Sequence, residues 1–543
     1  MIRTHIIIIC LVIFSGLKAL AQEYVNKDSL ISDFNYLIQQ LEATHPDPYS
    51  GFGGKVFFHK QAFDLKNELA RKDHTLLDFS NKVSAFLANL QDGHTSLFTP
   101  ENTKEKNKNG IFIVSGKVIP DGIILSEVPL ENKEYLGSRI LGINGLAIDS
   151  LLQIIKTKKA CENLYGQYYW LNIFLSHSDF ILEIFPDLKN TMVLNVETPD
   201  GERKDLTIPL IGKDKRKEYP TAQLSHWEII PEDAYLSYKY LDKKKEVMFF
   251  KLTSIMAREN YEVTLKNNWP GAYDDMKRFY KNTLKKEMPT DTAKALAGIP
   301  SYSETFYRML KEMKKHNSKT LIIDLRSNGG GWTPITLPSL YQLYGDRYLQ
   351  TDMDTHFYRL LSPLYLSKIN KTQEEFNKMH GHEYQLGEYI FGENAPDTSG
   401  IEVQRENFIR NCLSDLKPKL KKQKGKPVYT PEKIYVITNE QTFSAAFHYA
   451  FYLWKMGATV VGVPSMQAPN TFMEQTSFNL PHTHLGGSIS NSIQVFLPGK
   501  DRRAKTFWPD LMPKYNDYKR YLFDLHSEVH YLLDQIDPSP ISK

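Results

Sequence analysis

Three short stretches of the sequence carry residue types that could do chemistry together. The first is VITNEQTFSAAFHYA, in which Ser444 stands between an apolar strand pattern and a long apolar helix pattern. N–H groups at a helix start have no partner within the helix, and the helix dipole places about half a positive charge there. A serine at this point becomes a better nucleophile, and the same N–H groups can hold an oxyanion. A plain helix cap is the competing interpretation, although Thr442 could serve as that cap instead.

The second and third stretches supply a flexible turn and a histidine. LIIDLRSNGGGW is an apolar strand pattern that runs into Gly329–Gly331, where glycines allow a tight turn and a close approach to a ligand. No Gly-Lys-Ser/Thr follows, so a nucleotide phosphate loop is not indicated. LQDGHTSLF places His94 directly after Asp92-Gly93, in a turn that can present its ring. A serine at a helix start, a glycine turn and a turn-held histidine are together the groups that acyl transfer needs.

The elements that must position these groups change character along the chain. Apolar residues at helical spacing predict helices in the first part, β-rich alternation with the Asn144-Gly145 hairpin signal follows, and strands alternate with helices thereafter. The sequence therefore predicts a multidomain α+β and α/β protein whose three parts span 22–105, 106–215 and 216–543. Within the last part, polar and poorly periodic sequence predicts insertions or lids at about 255–300 and 345–428.

Composition and charge narrow the functional classes. Of the 543 residues, 41% are hydrophobic and 24% charged, which is typical of globular proteins. Lys and Arg total 67 against 63 Asp and Glu, and a net charge of +4 over this length offers no reason to expect a nucleic-acid partner.

The N-terminus predicts export. MIRTH is followed by the apolar run IIIICLVIFSGL and by Ala19-Leu20-Ala21, which together predict a secretory signal peptide at residues 1–21. The apolar run is shorter than the roughly 20 residues that a membrane span needs, and no later segment is long and apolar enough. We therefore expect a periplasmic or extracellular protein without a stable membrane span.

Cysteines and histidines offer little evidence for a metal. Cys161 and Cys412 could pair in an oxidising compartment. The pairs His380/His382 and His482/His484 lack a third ligand at a telling spacing, so we predict no metal site.

The three stretches resemble the signatures of the C-terminal-processing and tricorn-type serine peptidases. The order of parts is also similar: an N-terminal helical domain carrying the DGHT turn, a PDZ-like β-rich domain around GSRILGINGLAIDSLLQII, and a crotonase/ClpP-like α/β catalytic core. The resemblance implies hydrolysis of peptides or unfolded proteins without a cofactor. It implies Ser444 as the nucleophile and His94 as the general base. It further implies an oxyanion hole formed by the N–H groups of Ala445 and Gly330, with Gly331 as the fallback.

One departure from the family pattern selects the branch. The Ser–Lys branch carries its lysine in a Gly-Lys-Gly motif, whereas this chain has VGVPSMQAPNTF, with Ala468 at the lysine position. No lysine lies between Lys455 and Lys500. The resemblance therefore favours the Ser–His branch.

A second departure leaves the acidic partner of the histidine open. That branch has a glutamate shortly before a Pro-Asp pair, but Arg503 lies near that place in DRRAKTFWPD. Asp501 or Glu474 could replace it, and the sequence does not decide between them.

Two other functions compete with a peptidase. A catalytically inactive relative could keep the fold and bind a peptide or an apolar ligand. An acyl-CoA enzyme on the same core fold would explain neither the export signal nor the DGHT turn. We favour the peptidase, which requires His94 and Ser444 to meet although 350 residues separate them in the sequence.

Overall fold

The computed structural model describes residues 24–98, 109–230, 234–269, 271–391 and 397–536. The predicted signal peptide and the predicted boundary at 105/106 lie outside these ranges. Across the ranges that are described, no helix combines the length and the apolar character that a bilayer crossing demands. Cys161 and Cys412, which the sequence allowed to pair, are both buried and both free.

Helices dominate the first part, as predicted. Strands β1 (Tyr24–Val25) and β2 (His74–Thr75) pair with each other, and β3 (Ser96–Leu97) follows the DGHT turn. The helices are Lys27–Thr44, Lys55–Leu69 and Leu76–Ala88. Their apolar faces share one hydrophobic cluster with residues far along the chain, among them Phe478 and Ile489. This part is therefore packed onto the C-terminal half of the protein and does not stand alone.

The second part is an antiparallel sheet with helices. Its strands are β4 (Ile111–Phe112), β5 (Ser115–Ile119), β6 (Gly122–Pro129), β7 (Arg139–Ile143), β8 (Leu146–Ala147), β9 (Thr191–Glu197), β10 (Arg203–Ile211) and β11 (Thr221–Gln223). The order is β11-β6-β7-β9-β10-β4, with β5 on β6 and β8 on β7. Asn144-Gly145 forms the predicted two-residue turn, because Ile143 lies opposite Leu146 and both turn residues have positive φ. The helices are Ile148–Lys158, Leu164–Phe174 and Ser178–Ile184.

The third part contains the sheet that carries the predicted serine. Its strands are β12 (Leu236–Tyr240), β13 (Val247–Leu252), β14 (Thr320–Asp324), β15 (His356–Leu360), β16 (Tyr389–Ile390), β17 (Lys433–Thr438), β18 (Thr459–Gly462), β19 (Asn470–Asn479) and β20 (Gly486–Val495). One sheet has the order β12-β13-β14-β17-β18 and is parallel from β13 onward. The ends of β14 and β17 therefore lie side by side at one edge, and the glycine turn and Ser444 follow them.

A second sheet connects the first part to the third. Its order is β16-β15-β20-β19, and β3 pairs with β20. This pairing fixes the DGHT turn beside the serine-bearing sheet.

The two segments predicted to be insertions or lids both contain regular secondary structure. The first holds the helices Arg258–Lys266, Ala272–Asn282 and Thr292–Gly298, which share a small hydrophobic cluster. The second contributes β15 and β16 to a sheet, so it is not a simple insertion. Its short elements gave no clear period in the sequence. The remaining helices of this part are Tyr302–His316, Leu337–Tyr344, Asp346–Gln350, Pro363–Lys368, Gln373–His380, Ile401–Asn411, Lys417–Lys422, Ala445–Lys455, Tyr515–Arg520 and Ser527–Ile536.

Candidate active site

Ser444 sits in a strained strand-to-helix turn. Its backbone has φ 53° and ψ −125°, a conformation that residues with a side chain rarely adopt and that is characteristic of exposed nucleophiles. Its side chain makes no capping hydrogen bond to the helix that follows. The Thr442 hydroxyl donates to the Leu325 carbonyl at 2.8 Å, so it does not cap the helix either. The plain-cap interpretation of Ser444 is therefore disfavoured.

The main chain leading into Ser444 is held by two buried residues, Gln467 through its side chain and Asn328 through its main-chain carbonyl. Gln467 Oε1 accepts the Ser444 N–H. The Phe443 N–H donates to the Asn328 carbonyl at 3.0 Å, and the Asn328 side chain donates to the Leu252 carbonyl at 2.8 Å. The turn that carries the serine is thus tied both to the glycine turn and to the segment after β18. Sequence reasoning did not identify Gln467.

The glycine turn packs directly against the serine. A β carbon at Gly330, where φ is 100°, would lie 2.7 Å from the Phe443 carbonyl oxygen and 2.9 Å from the Ala445 nitrogen. Among the described residues, no group accepts a hydrogen bond from the Ala445 N–H. The Gly330 N–H instead donates to Asn328 Oδ1 at 2.9 Å, so in this conformation it is engaged. The fallback, Gly331, lies against the main chain of Ile255.

Gly330→Ala is expected to lower kcat/KM for peptide hydrolysis by at least about 100-fold. The new methyl group would push the Ser444 turn out of place, and a misplacement of about 1 Å in an active site can lower the rate about 100-fold. Gly329→Ala is the matched control, since nothing lies within 4 Å of a β carbon there. Steady-state assays and thermal melts of both variants provide the measurement. Equal activities for the two variants would mean that the close packing at Gly330 does not matter to the site.

The structure brings His94 next to the serine turn. The Ser488 hydroxyl donates to the His94 carbonyl at 2.8 Å, which anchors the turn on β20. The His94 side chain is 6% exposed, and its ring stacks on Phe443 with 4.6 Å between ring centroids. Neither ring nitrogen has a hydrogen-bond partner in the described part of the chain, so no hydrogen bond joins it to Ser444 here. In unliganded enzymes such bonds often tighten only when substrate binds.

The carboxyl groups beside His94 are those of Asp92 and Glu162, rather than either predicted acid. Asp92 Oδ1 lies 4.0 Å from His94 Nδ1, and Asp92 Oδ2 contacts His45 Nε2 at 3.2 Å. Burial alone would raise the pKa of Asp92, but the hydrogen bond and charge of His45, the nearby His94 and the Thr95 hydroxyl together outweigh burial and lower the pKa to about 2. Asp92 is therefore ionised and can hold the imidazole in one orientation.

The two predicted acids are occupied elsewhere. Glu474 receives two hydrogen bonds from Arg359, both at 2.8 Å. Asp501 pairs with Arg503 at 2.6 Å. Each carboxylate thus neutralises its own arginine. The resemblance directed the search for the acid far downstream, whereas the neighbouring carboxylate lies two residues before the histidine.

Glu162 connects the second part of the chain to the site. It lies between the helices Ile148–Lys158 and Leu164–Phe174, and it accepts the Gly93 N–H at 3.2 Å and the Ala468 N–H at 2.7 Å. Burial raises the pKa of Glu162 to about 8. A β carbon at Gly93 would lie 2.9 Å from Glu162 and from Phe443, so this packing requires a glycine. No pattern in the sequence singled out Glu162.

A second buried histidine near the serine is fully engaged. His448 Nδ1 lies 2.8 Å from the Thr333 hydroxyl, and Nε2 lies 2.7 Å from Gln494 Oε1. Burial lowers the pKa of His448 to about 4. Both nitrogens are in use, so His94 is the imidazole with free nitrogens beside Ser444.

A cavity of about 340 Å³ opens beside the DGHT turn. Its wall is mainly apolar and includes Leu87, Phe98, Trp170, Phe443 and Met466, together with the carboxylates of Asp92 and Glu162. Such a cavity can accept an apolar side chain close to the reacting groups.

Comparison with known proteins identifies the serine-bearing region. Residues 292–498 match the model of peptidase family S41, a range that includes Gly330 and Ser444 but not His94. The fold resembles the solved structure titled mature CPAF complexed with lactacystin, with a TM-score of 0.52, 14% identity and coverage of 94% of this chain and 99% of that one. The structure of mature CPAF alone gives a TM-score of 0.51, 14% identity and coverage of 95% and 99%. No curated protein matches the chain by sequence.

Proposed function

Because the chain carries a domain of peptidase family S41 and is a serine-type peptidase, we propose that it hydrolyses peptide bonds through an acyl-enzyme on Ser444, with His94 as the general base. The observation that carries this proposal is the geometry of the serine turn. Ser444 has a strained backbone and an uncapped side chain at a helix start, and an imidazole with two free nitrogens stacks on the preceding residue. A helix cap would need none of these features.

The proposed reaction balances with groups of this chain and water. His94 takes the proton of the Ser444 hydroxyl as the oxygen attacks the substrate carbonyl carbon, and a positioned base contributes about 10²–10⁴-fold. The Ala445 N–H donates to the resulting oxyanion. His94 then gives its proton to the departing amine, and the C–N bond breaks. Water attacks the ester with His94 again as base, and the acid product leaves as the Ser444 hydroxyl is restored.

The Asp92 carboxylate supports the charged form of the base in this proposal. When His94 takes the serine proton, the imidazolium forms 4.0 Å from an ionised, buried carboxylate. At such a distance within a protein, opposite charges stabilise each other by several kcal/mol before desolvation is counted, roughly 4 kcal/mol at an effective dielectric constant of 20. Asp92 would thus act through His94 as a positioning residue.

The substrate class and the location are also parts of the proposal. The apolar cavity beside Phe443 suits a side chain of a peptide or an unfolded protein. The sheet of β4–β11 would act as a PDZ-like domain that binds an extended segment of the substrate. Removal of residues 1–21 would leave the mature enzyme in the periplasm or outside the cell. No observation favours the inactive alternative.

Labelling with a fluorophosphonate tests the nucleophile directly. This reagent forms a covalent bond with activated serine hydroxyls, so we expect one adduct per chain. Peptide mapping should locate the adduct in the segment 439–455, at Ser444. The chain has many other serines, which serve as an internal control for activation. An adduct confined to another serine, or no adduct at conditions that label a known serine peptidase, would contradict the proposal.

A further inference from the structure

The imidazole proposed as the base belongs to a cluster of three side chains that could bind a metal ion. One ligand atom from each of Asp92, His94 and Glu162 lies within 4.8 Å of the other two, and all three side chains are buried. A contrasting buried cluster, Arg326 with Asp324 and Glu528, is closed by its own opposite charges. The cluster at His94 differs because, within the described ranges, no lysine or arginine pairs with either of its carboxyl groups, and only His45 and His94 lie against Asp92.

An independent observation points to a ligand at the cluster. His94 is 4% exposed; its ring lies near the Phe472 main chain, but within the described ranges neither ring nitrogen makes a hydrogen bond of acceptable geometry. A buried polar group without a partner costs free energy, so an unmet acceptor needs an explanation. An ion between the carboxylates and this ring would supply the missing partner.

We propose that Asp92, His94 and Glu162 bind one Zn²⁺ ion and that the bound ion switches the peptidase off. One imidazole nitrogen and two carboxylate oxygens are ligands that zinc accepts, whereas Mg²⁺ and Ca²⁺ prefer oxygen alone. Zinc bonds to nitrogen and oxygen are about 2.0–2.2 Å long, so tetrahedral ligand atoms lie roughly 3.4 Å apart. Side-chain movements of about 1 Å would close the cluster around an ion.

The surroundings of the carboxylates are those of metal ligands. His45 and the Thr95 hydroxyl hydrogen-bond to Asp92, and the N–H groups of Gly93 and Ala468 donate to Glu162. Such outer contacts orient ligating carboxylates and contribute about 10–100-fold to metal affinity. Asp92 and Glu162 also line the cavity of about 340 Å³, which provides a path for the ion and space for a water in the fourth position.

Inhibition follows from coordination chemistry. A ring nitrogen that gives its lone pair to zinc cannot accept the serine proton. The ion would also bind the ring on the side of Asp92 and Glu162 and hold it there. The metal site itself does not depend on the proposed function, but the inhibitory effect does.

The test measures binding and inhibition separately on the full chain. Equilibrium dialysis against Zn²⁺ should give one ion per chain for the wild type. We expect His94→Ala and Glu162→Gln each to weaken binding at least about tenfold, as loss of a ligand should exceed loss of an outer contact. The control variant replaces His380 and His382, both exposed, by alanine and should bind like the wild type. Binding lost in that control, or retained in both cluster variants, would overturn the site.

A spectroscopic measurement on the unmutated protein avoids any effect of substitution on folding. Co²⁺ bound by one nitrogen and two oxygens should show weak visible bands and no thiolate charge-transfer band, and added Zn²⁺ should displace it. A strong thiolate band would instead place the ion on Cys161, which also lines the cavity, and would refute the assignment.

Fluorophosphonate labelling connects the site to the activity. Zn²⁺ should slow labelling of Ser444 at least about tenfold, and EDTA should restore it. Binding without any labelling in zinc-free buffer would leave the metal site intact and refute the proposed peptidase. Normal labelling that Zn²⁺ does not slow, in a protein that binds the ion, would refute inhibition alone.

Discussion

Ser444→Ala is expected to lower kcat/KM for peptide hydrolysis by at least about 10⁴-fold while leaving the fold unchanged. The hydroxyl is the group that forms the acyl-enzyme, and what remains without it is the weak catalysis of the oxyanion site and of binding. The side chain makes no capping hydrogen bond, so its loss removes no contact that stabilises the helix Ala445–Lys455. Steady-state kinetics on a peptide or casein substrate, with thermal melts of the same samples, provide the measurement.

Ser367→Ala is the matched control for that experiment. Ser367 is an exposed serine on the helix Pro363–Lys368 and is not part of the proposed site. Ser367→Ala removes the same atom, the hydroxyl oxygen, as Ser444→Ala. We expect this variant to keep wild-type activity and wild-type labelling. If Ser444→Ala retained more than a few per cent of the activity, another residue would be the nucleophile, and the assignment of the site would be wrong.

The local part of the site could be predicted because short-range patterns determine it. An apolar strand followed by a turn and an apolar helix sets the serine at a helix start, and the chain shows this at β17 and the helix Ala445–Lys455. The glycines after β14 were predicted for the same reason. Parallel strands β14 and β17 then bring the two turns to one edge without any further information.

The acidic groups of the site could not be predicted because long-range packing decides them. Asp92 was visible in the sequence as part of the DGHT turn, but its role beside the ring was not, because the ring's surroundings follow from how the turn is anchored on β20. Glu162 reaches the site from another part of the chain, through two hydrogen bonds to main-chain N–H groups. Main-chain donors of this kind leave no pattern of residue types. Glu474 and Asp501 were chosen by analogy. Arg503 lies two residues after Asp501 in the sequence, whereas the partner of Glu474, Arg359, is 115 residues away and is visible only in three dimensions.

The oxyanion donors show how a correct position can still differ in detail. Gly330 lies against Ser444 and Ala445, as the resemblance implied, yet its N–H points to the side chain of Asn328. A small rotation of that peptide would free the donor for an oxyanion. The sequence specifies the glycine but not the direction of its N–H, because glycine allows several backbone conformations of similar energy.

His94→Ala is expected to lower kcat about 10²–10⁴-fold with little change in KM, because the general base acts in the transition state and contributes that factor. Fluorophosphonate labelling should slow in parallel but should still occur at Ser444, since the nucleophile remains. The variant leaves a ring-sized space against Phe443, on which the imidazole normally stacks. Added imidazole is therefore expected to restore part of the labelling rate in the variant and to leave the wild type unaffected.

His448→Gln separates the base from its buried neighbour. His448 lies one helical turn after Ser444, and both of its ring nitrogens make hydrogen bonds. A glutamine side chain can keep one of these two hydrogen bonds. The substitution leaves His94, the ring proposed as the base, unchanged. We expect this variant to lose far less activity than His94→Ala when both variants are assayed at a temperature at which thermal melts show them to be folded. The opposite order, with His94→Ala near wild type and His448→Gln inactive, would show that His448 and not His94 transfers the proton. If added imidazole restores labelling in His94→Ala and not in His448→Gln, a purely structural role for the His94 ring is excluded. A packing defect in the turn would also slow labelling, but dissolved imidazole could not repair it.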